Sequence, residues 1–68
     1  MKIIFCVLKF NQWETVRVLE NVPIPRIHEW VNIRGRIADE PHRDFRGAVS
    51  GVWYDYDNEQ VQVMIGDS

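Results

Sequence analysis

From Lys2 to Phe10 (KIIFCVLKF) the side chains sort into two sets, Ile3, Phe5 and Val7 in one and Ile4, Cys6, Leu8 and Phe10 in the other. Neighbouring residues of an extended chain point to opposite faces, so this run predicts a strand that is apolar on both sides. It is rich in β-branched and aromatic residues and too short for a persuasive helix. A strand of this kind is either central in its sheet or covered on its outer face. Asn11-Gln12 follows as a tight turn, because Asn tolerates the left-handed backbone that such turns need. Trp13 to Glu20 (WETVRVLE) then predicts the second half of a hairpin. Its pattern sends Val16 and Val18 inward, with Glu14 and Glu20 near the ends, and places Trp13, Thr15, Arg17 and Leu19 on the opposite face.

The ladder stops at Asn21-Val22-Pro23-Ile24-Pro25, where two prolines remove two donors and hold Ile24 extended. Arg26 to Glu29 is expected to turn into a third strand, Trp30 to Ile37. There Val31, Ile33 and Ile37 share a face with Gly35, while Trp30, Asn32, Arg34 and Arg36 line the other. Ala38 to Asp44, polar and centred on Pro41, is expected to be an exposed loop. The fourth strand, Phe45 to Tyr54, breaks alternation because Val49 and Val52 stand three apart. A bulge at Ser50-Gly51 returns both to the core and brings Tyr54 into phase. After a turn at Asp55 to Asn58, Val61, Val63 and Ile65 alternate with Gln60, Gln62 and Met64. No segment carries a 3.6-residue period. The elements therefore predict an all-β fold, a small five-stranded antiparallel SH3-like barrel with little or no helix, as one domain over residues 1–68.

Leu19, the run Val22-Pro23-Ile24-Pro25-Arg26 and the strand opening Glu29-Trp30-Val31 carry a resemblance, continued by Val49, Val52, Trp53-Tyr54-Asp55 and a final Val-x-Val strand. In these features, over residues 15–65, the chain resembles small SH3-like β-barrel proteins of unassigned function from bacteriophages and bacterial mobile elements. Where those proteins usually carry Gly, this chain has His28. The resemblance implies the barrel and a phage-like origin, and it brings no active site with it.

Composition narrows the classes. At 68 residues with 46% apolar and 26% charged positions, the chain is globular in composition but short of interior. A net charge of −2 argues against gripping nucleic acid by bulk electrostatics. Its distribution is uneven: residues 26–46 hold five Arg against four acids, whereas Asp55, Asp57, Glu59 and Asp67 have no basic residue among them. Cys6 is alone, so no internal disulfide forms. The apolar start is cut off by Lys9 and no run approaches the length of a bilayer span, so a cytoplasmic protein with no membrane partner is expected.

Catalytic and metal chemistry find little footing. Cys6, His28 and His42 form no close ligand pair, and Asp55-Tyr56-Asp57-Asn58-Glu59 lacks the Gly and distant Glu of a calcium loop. Ser50 does not sit in a G-x-S-x-G elbow, and no two carboxylates are marked for one cleft. The expectation is no enzyme, no metal and no cofactor. The third strand offers more. Trp30 beside Arg34 and Arg36 suits either a protein hot spot or a base-stacking, phosphate-clamping surface. Trp53 joins as a further exposed anchor, since so small a chain cannot easily hide three indoles. The leading expectation is a non-catalytic protein-interaction module, a phage-like accessory protein that modulates a host protein through Trp30, Arg34, Arg36 and Trp53. The alternative is a nucleic-acid-binding barrel using Trp30 with Arg26, Arg34, Arg36 and Arg46. The two-faced first strand suggests in addition a homodimer through an edge strand.

Overall fold

The computed structural model describes residues 1–66, and every element in it is a strand: β1 Lys2–Lys9, β2 Gln12–Glu20, β3 Trp30–Gly35, β4 Arg43–Asp55 and β5 Gln60–Ile65. They form one curled sheet in the order β2-β1-β5-β4-β3. The all-β, small, barrel-like class expected from alternation is what the chain adopts. Among the described residues no helix is long and apolar enough to cross a membrane.

The expected antiparallel sheet is corrected in one place. Hairpin β1–β2 and meander β3–β4–β5 are antiparallel, but β1 and β5 run the same way, from Lys2 opposite Gln60 to Val7 opposite Ile65. The reason is parity. Five strands that alternate direction around a ring cannot return to the start without one like-directed pair, and the curl of a small sheet brings the first and last strands together.

The ring almost closes between β2 and β3. There the Arg36 N–H donates to the Val16 carbonyl at 3.2 Å. The approach is so close that a Cβ on Gly35 would lie 2.2 Å from the Val16 oxygen. β3 itself ends at Gly35, two residues before the expected Ile37, and the Arg36 amide, facing β2 by alternation, makes the seam contact. Ile37 still reaches the core.

That core is built from Ile3, Phe5, Val16, Ile33, Ile37, Phe45, Val49, Val61, Val63 and Ile65. Two bulges keep it filled. The one at Ser50 falls where Val49 and Val52 require it, with Val49 opposite Ile65 and Gly51 opposite Met64. The other, at Val16, lies between the pairs Phe5–Arg17 and Cys6–Thr15. It overturns the expected phase of β2: Val16 is buried, but Leu19 then packs inward and Val18 stays exposed. The first turn also slips by one residue. Phe10 and Asn11 occupy it, both with positive φ (51° and 63°), as a two-residue hairpin loop requires.

Left-handed backbone is assigned to unusual residues. Phe10, Asn11, Asn21, His28, Ala38 and Glu59 have positive φ, and no described glycine does. The glycines serve space instead: besides Gly35, a Cβ on Gly47 would meet Ile65 Cγ2 at 2.8 Å.

Candidate binding face

Alternation along β3 sends Val31 and Ile33 inward and leaves Trp30, Asn32 and Arg34 outside. Register then adds the neighbours: Trp30 stands opposite Ala48, Asn32 opposite Arg46, and Arg34 opposite Asp44. Trp30, Arg34 and Arg46 thus share one outer face. Trp30 is 76% exposed, so it covers no barrel end and takes little part in the core. Arg34 Nη1 lies 3.5 Å from Asp44 Oδ1, and Arg46 Nη2 lies 4.0 Å from Asp44 Oδ2. One carboxylate stands between two guanidiniums, and the face keeps a surplus of positive charge. Exposed pairs of this kind contribute little to stability and are easily exchanged for an incoming anion.

The other expected contact residues lie outside the paired stretch of β3 and β4. Arg36 is exposed just past the end of β3, where its backbone holds the seam. Arg26 belongs to the turn before β3. Its N–H donates to Glu29 Oε1 at 2.7 Å, the Glu29 N–H returns to the Arg26 carbonyl, and His28 takes φ 78°. Trp53 lies on the outer face beyond the Ser50 bulge, in a row with Gln62, Ile4 and Val18 across β4, β5, β1 and β2. A Cβ at Gly51 would meet the Trp53 Nε1 at 3.8 Å and Met64 Cγ at 3.7 Å. Alongside runs a second row, Thr15, Cys6, Met64 and Gly51, in which Cys6 and Met64 are buried. Burial pushes the Cys6 thiol up, a weak bond to Thr15 pulling the other way, so it is no ready nucleophile.

One residue of the site is illegible in the alternation. The Val16 bulge brings Arg17 opposite Phe5, so its side chain starts from the inner face at the open seam. Its Nη1 donates to the Arg34 carbonyl at 3.3 Å, and no described carboxylate lies within ion-pair distance. Beside it a groove of about 390 Å³ runs between β2, the Val22–Pro25 segment and β3, with Phe5, Leu19, Pro23, Trp30 and Ile33 along it.

The opposite pole is occupied by its own contacts. Lys9 is bonded to Glu40, Arg43 reaches Glu40 at 3.9 Å, and the Arg43 guanidinium lies 4.5 Å over the Phe45 ring. The acidic turn is a closed local structure, with the Asn58 side chain donating to Asp55 Oδ2 at 2.8 Å. No three His, Cys, Asp or Glu converge as a metal set among the described residues. In comparisons with known proteins, no family model, no curated protein and no solved structure matches the chain.

Proposed function

We propose that the chain is a non-catalytic protein-interaction module whose contact face is the outer surface of β3 and β4. The observation that carries this reading is the register that sets Arg34 and Arg46 around a single carboxylate, Asp44, with Trp30 exposed on the same outer face. An exposed indole supplies an apolar anchor that loses little conformational freedom on binding. The two guanidiniums supply oriented donors to an acidic partner side chain that displaces Asp44. The same reading takes the barrel as SH3-like and the chain as a phage-like cytoplasmic accessory protein acting on a host protein. It is supported by the Val22–Arg26 and Trp53-Tyr54-Asp55 patterns. Arg36 just past the end of β3, Arg26 in the turn before it and Trp53 beyond the Ser50 bulge stand at the rim of this face.

The test is affinity capture from a bacterial lysate, followed by titration of the captured protein against Trp30→Ala and Arg46→Ala. Loss of an interface Trp or Arg of this kind weakens binding by about 30-fold, near 2 kcal/mol. A partner held equally by both variants refutes the face. Affinity for a single-stranded oligonucleotide that falls steeply with salt would put a nucleic-acid ligand in place of the protein.

A further inference from the structure

We infer that the open seam between β2 and β3 receives an extended acidic peptide segment as an added strand, paired with the edge of β3. This rests on the protein-interaction reading and names the chemistry of its ligand.

The first ground is the direction of backbone groups. In a strand, the N–H and C=O of one residue point to the same side and the side alternates residue by residue. The Arg36 N–H and the Arg34 carbonyl both point across the seam, toward Val16 and Arg17 respectively. By alternation Asn32 and Trp30 present their N–H and C=O groups to the same side. β3 pairs with β4 alone, so no strand answers them. Isolated domains blunt such edges with charge, with bulges or with cover. Here the Val16 bulge and one arginine, Arg17 on the Arg34 carbonyl, stand at the narrow end. The edges touch at Val16 and Arg36 and open toward Leu19 and Trp30.

The second ground is complementarity. The groove floor is apolar where Phe5, Leu19 and Ile33 line it, which suits alternate apolar side chains of an extended ligand. Its charged groups are Arg17, without a described carboxylate partner, and Arg34, which shares Asp44 with Arg46. An incoming strand would exchange its own N–H for the Arg17 donor on the Arg34 carbonyl and offer a carboxylate to the released guanidinium. The added strand is therefore apolar on one side and acidic on the other.

A phage-displayed library of random decapeptides, panned on the whole chain, supplies the probe. Enriched sequences are expected to carry Asp or Glu at alternate positions. The synthetic peptide should slow hydrogen exchange at the Asn32 and Arg34 amides by at least about tenfold. Arg17→Gln, which keeps a donor for the carbonyl but removes the charge, should weaken it about tenfold, and N-methylation of alternate peptide amides should abolish binding. No enrichment, or binding without protection of those two amides, overturns the inference. A peptide weakened by Arg46→Ala but indifferent to Arg17→Gln and to N-methylation overturns the seam while keeping the β3–β4 face. Indifference to all three changes overturns both. Protection that rises with protein concentration in the absence of peptide assigns the seam to a second copy, and protection by oligothymidylate assigns it to nucleic acid. Either result overturns the acidic peptide.

Discussion

The β1–β5 pair and the β3–β4 pair are made of similar alternating strands, yet their outer faces have opposite fates. On the outer side of β1 and β5, Cys6 and Met64 are only 4% exposed, whereas Trp30 on the outer side of β3 is 76% exposed. The inner sides are alike, with Val61 and Val63 matched by Ile33 and Phe45 in the same core. What differs is position. β1 and β5 are flanked on both sides by strands whose side chains close over them, while β3 is an edge. Burial on both faces is confined to the parallel centre, and the edge limb holds its outer side chains in solvent.

That division can be broken at several points. Ile65→Ala empties a fully packed site in the centre and is expected to cost about 3–4 kcal/mol, measured by urea unfolding with tryptophan fluorescence. So short a chain has little reserve against such a loss. Gly35→Ala forces the Val16 carbonyl away and is expected to cost about 2–3 kcal/mol, with the Arg36 amide losing its exchange protection first. A Gly35→Ala protein with unchanged Arg36 protection would show that the seam does not depend on this contact. His28→Gly acts in the opposite direction. A left-handed His is strained where Gly is not, so stability should rise by about 1 kcal/mol and Tm with it. Trp30→Ala should shift stability by less than about 0.5 kcal/mol, and a larger loss would place the indole in the structural class of Ile65.

The smallest effect is at the far pole. The bond from Lys9 holds the Glu40 carboxyl below its ordinary range, with Arg43 adding to the shift. A lowered folded pKa means that the contribution is fully present above the unfolded carboxylate's titration and is lost as pH falls through the folded value. Lys9→Gln should therefore flatten the slight acid dependence of the urea midpoint, and an unchanged slope would show that this pair is immaterial.

Alternation made much of this visible. The five strands, the inward set Val31, Ile33 and Ile37, and the Ser50-Gly51 bulge follow from spacing, since Val49 and Val52 fit one core no other way. The Val16 bulge was hidden because Val16 and Val18 alternate cleanly in a phase that the fold rejects beyond Val16. Arg17 changes face with it, so its place at the seam leaves no mark in the alternation. The Phe10-Asn11 turn lies one residue before the Asn11-Gln12 that spacing predicts, because an aromatic side chain is a poor sign of left-handed backbone. The parallel pair has no residue signal at all, being a property of the ring. In the site, Trp30 and Arg34 were legible from one strand alone. Their meeting with Arg46 and Asp44 depends on cross-strand register, which turn geometry and bulges set at a distance.

Because β1 and β5 run alongside in the same sense, Lys2 and Ile65 sit at opposite poles of the molecule. Anything attached ahead of Lys2 emerges beside the acidic turn, where the Lys2 amide already meets the Glu59 carbonyl. Anything attached beyond Ile65 emerges near Lys9 and Arg43. A label before β1 and one after β5 therefore report on different ends. A circularised version would need a linker running the length of a six-residue strand, roughly 17–20 Å.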